Sequence, residues 1–119
     1  MIPIKIETLL EGRKVEQNRI EYKEGFNPAD IVHTICAYAH DIAGVDGGYL
    51  VIGVKAENGI PVLPPVGLPH ELLDDIQLKI FQYCNKIEPR YIPKIDVVEY
   101  KGVNLVYLKC AAGDAGPYQ

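Results

Sequence analysis

Glu16, Glu21 and Lys23 stand in one short charged stretch, Glu16-Gln17-Asn18-Arg19-Ile20-Glu21-Tyr22-Lys23. Carboxylate oxygens are what a divalent cation asks for, and a lysine beside them steadies charge developing on a phosphate, so the group could serve a metal-dependent phosphodiesterase. The bland reading, a solvated charged strand face, is the more frequent one for so short a pattern. His33 and His40 form a second candidate pair. They fall on one side of a helix but two turns apart, too far for the i, i+4 pair that grips a metal, and they read as polar-face residues. Tyrosine is the third candidate: Tyr22, Tyr38, Tyr49, Tyr83, Tyr91, Tyr100 and Tyr107 make it the main aromatic in a chain with no Trp and only 2 Phe. Tyrosines stack bases in single-strand binders, yet they are more often half-buried core residues with a wet hydroxyl.

The charge balance limits what these groups can do. With 12 Lys plus Arg against 16 Asp plus Glu the net charge is -4, unlike the basic footprint of a typical nucleic-acid binder. The cations are unevenly spread, however. Lys5, Arg13, Lys14, Arg19 and Lys23 crowd the first 24 residues, whereas residues 25–60 carry Lys55 alone. Any basic patch must draw on the N-terminal segment, joined by Lys86, Arg90 and Lys94. Three widely spaced cysteines (Cys36, Cys84, Cys110) without a Cys-x-x-Cys pair read as small core residues in a reducing compartment. Neither a signal-peptide h-region nor a membrane-length apolar run occurs, so the expectation is a soluble cytoplasmic protein with no membrane partner.

Length fits one domain, residues 1–119, with a single core. The elements that must position the candidates follow from periodicity. Leu9, Leu10 and Val15 mark a weakly amphipathic opening, a short helix or irregular arm. Ile20-Glu21-Tyr22-Lys23 alternates apolar with charged, which predicts a strand with Glu21 and Lys23 on one face and Tyr22 turned to the core with Ile20. Asn27-Pro28 predicts a helix start, and Ile31, Ile35, Ala39 and Ile42 give that helix one apolar stripe. The glycines from Gly44 to Gly48 follow this helix rather than precede one, so they turn the chain and do not cradle a phosphate. Tyr49 to Val54 reads as a strand covered on both faces. Asn58-Gly59 predicts a type I′ turn into a brief, proline-limited partner at Ile60 to Leu63. A second helix opens at Pro69-His70-Glu71, with Leu72, Ile76, Ile80, Cys84 and Ile87 as its stripe, and ends at Glu88-Pro89. Ile92 to Tyr100 and Val103 to Lys109 form a hairpin through Lys101-Gly102, and Ala111 to Gln119 is expected to be weakly ordered.

Taken together, Glu16 to Glu24, the helical Ile35-Cys36-Ala37-Tyr38-Ala39, the strand Gly47-Gly48-Tyr49-Leu50-Val51-Ile52-Gly53-Val54, Asn58-Gly59 and the closing Gly116-Pro117-Tyr118 resemble the Schlafen AlbA-type domain. The resemblance implies an α+β fold, with a mixed central sheet of about five to six strands and two main helices. It also implies a domain that binds DNA or RNA, as in bacterial transcriptional regulators and helicase-related proteins, with further domains C-terminal to it. The cations expected to meet nucleic acid are Arg19, Lys23, Arg90 and Lys94, with no cofactor. The family also includes nucleases that cut structured RNA with three carboxylates and a divalent metal. Two of those carboxylates map onto Glu16 and Glu21, with Lys23 as helper. Where the third would fall this sequence has Lys55, with Glu57 two residues on, and His40 stands where the family commonly has Asn. Binding is therefore the leading expectation, a metal-dependent endoribonuclease the alternative, and an interaction or dimerisation module without nucleic acid the third. A homodimer is expected, because open sheet edges and a high apolar fraction call for cover.

Overall fold

Asn27 begins the first long helix as its side chain predicts: Asn27 Oδ1 accepts the Asp30 N–H at 3.4 Å, satisfying one of the free donors of the first turn. The computed structural model describes residue 2 and residues 4–11, 19–40, 48–87 and 91–110. Its elements run α1 (Ile6–Glu11), β1 (Arg19–Lys23), α2 (Pro28–His40), β2 (Gly48–Ile52), β3 (Ala56–Glu57), β4 (Ile60–Pro61), a 3-10 turn (His70–Leu72), α3 (Leu73–Cys84), β5 (Lys94–Tyr100) and β6 (Val103–Cys110). The Gly44–Gly47 turn, Ile42, Val15 and the Ala111–Gln119 tail lie outside the described residues.

The α+β class holds, and the six strands among the described residues divide between two sheets. β1, β2, β6 and β5 form a mixed sheet in that order, while β3 and β4 pair separately as a small hairpin. β1 and β2 are parallel, Arg19 against Gly48 and Lys23 against Ile52, with α2 as their crossover. β6 then enters antiparallel between β2 and β5. Both predicted two-residue turns are present. Asn58 and Gly59 have φ of 53° and 79°, Lys101 and Gly102 have 48° and 85°, and these paired left-handed conformations match the twist of a hairpin.

The run from Tyr49 to Ile52 is buried throughout because both faces of the sheet are covered. On one face Leu50, Ile52, Val106 and Leu108 pack with Ile31, Ile35 and Tyr38 of α2 and Ile76 and Ile80 of α3. On the other, Tyr49, Val51, Leu105 and Tyr107 pack beneath Ile2, Ile6, Leu9 and Leu10 of the N-terminal segment. Burying each such aliphatic side chain contributes about 1.5–3 kcal/mol, and the four of the short opening arm close one of the two faces of the sheet. Tyrosine hydroxyls fasten it: Tyr22 donates to the Leu9 carbonyl at 2.7 Å, Tyr107 to the Ile4 carbonyl at 3.3 Å and Tyr100 to Glu11.

One expected core position is corrected. Leu72 is 46% exposed and Leu73 is buried with Ile76, Ile80, Cys84 and Ile87. The chain from His70 to Leu72 winds as a 3-10 turn at three residues per turn. That offset hands the first inward position of the helix to Leu73.

Candidate functional site

Among the described residues β1 is an edge strand, with α2 on one face of the sheet and α1 on the other. Alternation sends Ile20 and Tyr22 to the α1 side, where they join that core, and Glu21 and Lys23 to the α2 side. There Lys23 Nζ sits 2.8 Å from Asp30 Oδ2 and 3.1 Å from Glu21 Oε2. The hydrogen bond to Asp30, then that to Glu21 and the charges of both carboxylates, hold the ammonium above its ordinary value against an opposing desolvation. Lys23 thus ties the edge strand to the first turn of α2.

Beside this clamp lies a cleft of about 390 Å³ lined by Ile20, Glu21, His33, Thr34, Ala37 and Tyr38. The four helical residues belong to adjacent turns of α2, so one strip of that helix forms the wall opposite β1. His33 is exposed at the cleft and Thr34 is buried.

The other end of β1 leads to a different group of cations. Across the sheet Ile20, Tyr49, Lys109 and Lys94 share one row. Lys94 and Lys109 are therefore direct cross-strand neighbours on the α1 face, and Lys109 Nζ stands 4.6 Å from the centre of the Tyr49 ring. The Arg19 backbone lies one row further on, beside Gly48. Three strand spacings, roughly 14 Å, separate the β1 and β5 edges.

The predicted residues accordingly fall into two places. Arg19 and Lys94 share one end of the sheet, while Lys23 stands at the other end of β1, on the opposite face from Lys94. Glu16 and Arg90 lie outside the described residues, and for Arg19 only the backbone is described. Glu57 is exposed on the β3–β4 hairpin, with Lys55 exposed just before it. Among the described residues no three His, Cys, Asp or Glu side chains stand close enough to hold a metal ion. Tyr49, Tyr100 and Tyr107 are buried beneath the N-terminal segment.

Sequence reasoning missed Asp30, Thr34 and Lys109. The pairing of Lys109 with Lys94 was available, because a two-residue turn at Lys101-Gly102 places residues equally distant from it face to face. Asp30 carried no such signal, since its contact with Lys23 depends on how α2 leans on β1.

Residues 16–119 match the family described as Schlafen, AlbA_2. The chain belongs to the Schlafen AlbA_2 family. Among solved structures, this AlbA_2 domain is similar to the N-terminal domain of a protein related to the ATP-dependent DNA helicase RecG, from Nitrosomonas europaea. That match has a TM-score of 0.62 and 24% identity, over 86% of this chain and 67% of the other. The DIP2311 protein from Corynebacterium diphtheriae shares the fold at a TM-score of 0.55 and 17% identity, over 92% of this chain and 22% of the other. A comparison with curated proteins finds no match. Among the described residues of the AlbA_2 domain, no helix is long and apolar enough to cross a membrane.

Proposed function

We propose that this AlbA_2 domain binds nucleic acid, DNA or RNA, as one module of a longer bacterial regulator with further domains C-terminal to it. What carries the reading is the Schlafen AlbA_2 match over residues 16–119. Its likeness to the first domain of a helicase-related protein agrees with it. The surface offers a place for phosphates at the sheet end where Lys94 and Lys109 face each other and Arg19 begins β1. Arg90, close before β5 in the chain, belongs to the same proposed set, and Lys23 enters it as the clamp that holds β1 in place. The domain is proposed to work in the cytoplasm, as a homodimer and without a cofactor.

Fluorescence anisotropy with labelled 20-mers of single-stranded DNA, duplex DNA and RNA tests the reading. Affinity should fall steeply between 50 and 200 mM salt, and Lys94→Ala should weaken binding on every sequence and reduce the salt slope by about 1. Absence of binding to all three at 50 mM salt refutes it and leaves the interaction module.

The endoribonuclease reading keeps one supporting observation: Glu21 lines a cleft with Lys23 at its side. In it Glu16, Glu21 and Glu57 would hold a divalent metal that stabilises the attacking and leaving oxygens. Magnesium- or manganese-dependent cleavage of a structured RNA, abolished by Glu21→Gln, would establish it over simple binding.

A further inference from the structure

We propose that the cleft between β1 and α2 receives one unpaired nucleobase that presents an amino group, an inference resting on the nucleic-acid-binding reading above. Its volume, about 390 Å³, lies within the range of small-molecule sites, about 300–1,000 Å³. The decisive residue is Thr34. Among the described residues it is the one buried polar side chain apart from the tyrosines, 7% exposed, and its hydroxyl makes no hydrogen bond to any of them. Lining the cleft, the Thr34 hydroxyl can exchange a water for the edge of a ligand.

The remaining lining selects the kind of ligand. Ala37 and Tyr38 give α2 an apolar wall for the face of a planar heterocycle, and among the described residues of the lining the polar side chains besides the Tyr38 hydroxyl are Glu21, Thr34 and His33. A phosphate suits this site badly. Its lining contains a carboxylate, and the adjacent Lys23 ammonium is already shared between Glu21 and Asp30. Lys23 engages Glu21 through Oε2, so the other oxygen remains to accept a bond. Adenine and cytosine offer it an exocyclic N–H at C6 and C4, and guanine one at C2, whereas uracil and thymine carry no amino group. Thr34 can then donate to a ring nitrogen or carbonyl, with His33 at the rim. A base reaches such a cleft only when splayed from its stack, as single-stranded nucleic acid permits.

The test is anisotropy at 50 mM salt with labelled 10-mers of oligo-A, oligo-C and oligo-U. It is paired with methyl-detected NMR titration of free cytidine and uridine, following Thr34 and Ala37. The domain should hold oligo-A and oligo-C at least about fivefold tighter than oligo-U. Thr34→Val, which removes the hydroxyl and keeps the shape, should level the three affinities. Ala37→Leu, which fills the cleft from an exposed helix position, should do the same, with the salt slope unchanged in both variants. Equal affinity for all three oligomers in the wild type overturns the proposal, as does a preference that survives both substitutions. If no oligomer binds, the functional reading fails and free cytidine decides the cleft. A Thr34 methyl shift that Ala37→Leu abolishes supports the site, and no shift overturns it too.

Discussion

Replacing Lys23 by Met removes the ammonium and keeps most of the aliphatic stem, which isolates the clamp between β1 and α2. The contacts at 2.8 Å and 3.1 Å each carry roughly 5 kcal/mol of gross attraction at an effective dielectric near 20. Most of that is cancelled by desolvating the ammonium of a lysine side chain that is 21% exposed and by repulsion between the two half-exposed carboxylates it joins. Measured pairs of this exposure retain about 0.2–1 kcal/mol each, so Lys23→Met should cost about 0.4–2 kcal/mol and lower Tm by about 1–10 °C. The sign with pH follows from the raised ammonium value: the difference between wild type and variant should be complete below the ordinary lysine pKa of about 10.4 and vanish as pH rises through the folded value. Urea unfolding followed by circular dichroism gives the stability, and anisotropy with a 20-mer gives the affinity of the folded fraction. The clamp should lose stability while affinity changes by less than about twofold. An unchanged urea midpoint with a loss of affinity near tenfold would refute it, and would make Lys23 a phosphate contact instead.

Gly53→Ala should destabilise by about 2–4 kcal/mol in the same unfolding assay, because Gly53 has φ of 107° and an added Cβ would lie 2.8 Å from Leu105 Cδ2. Leu73→Ala should cost about 2–5 kcal/mol and Leu72→Ala under about 0.5; equal costs would return Leu72 to the core. Tyr100, whose hydroxyl donates to Glu11, is pushed up to about 12, first by that bond and then by burial. Its stabilising contribution should thus be complete below pH 10 and lost as pH rises through about 12. Glu11→Gln should bring one phenol back toward the ordinary value in an absorbance titration. Light scattering should show a homodimer, since Ile60, Val66, Leu78 and Phe81 are exposed and β5 is an edge strand among the described residues; a monomer up to millimolar concentration refutes this.

Local chemistry made much of the fold legible. The Asn27 cap, the two left-handed turns and the alternation of β1 depend on neighbours in the chain, and each appears where the residues predict it. The N-terminal arm was harder, because Ile2, Ile6, Leu9 and Leu10 show weak periodicity and gain meaning only against the tyrosines of distant strands. The candidate site was half legible. Glu21 and Lys23 share a face as alternation requires, but periodicity could not show that Asp30 would occupy the lysine or that Thr34 would lie buried along a cleft. Both depend on the lean of α2 against β1, a tertiary quantity that short-range spacing does not encode.

The position of β6 between β2 and β5 has a consequence for synthesis. Roughly fifty residues separate Ile52 from Val103, and at about 5–20 residues per second a nascent β2 waits on the order of 3–10 s for its antiparallel neighbour. Throughout that interval an apolar strand paired on one side only is presented to other chains and to chaperones. The final strand therefore works as a late keystone: a ribosome stalled before Val103 would leave an open-edged, aggregation-prone half-sheet, and limited proteolysis of stalled chains should find no protected intermediate.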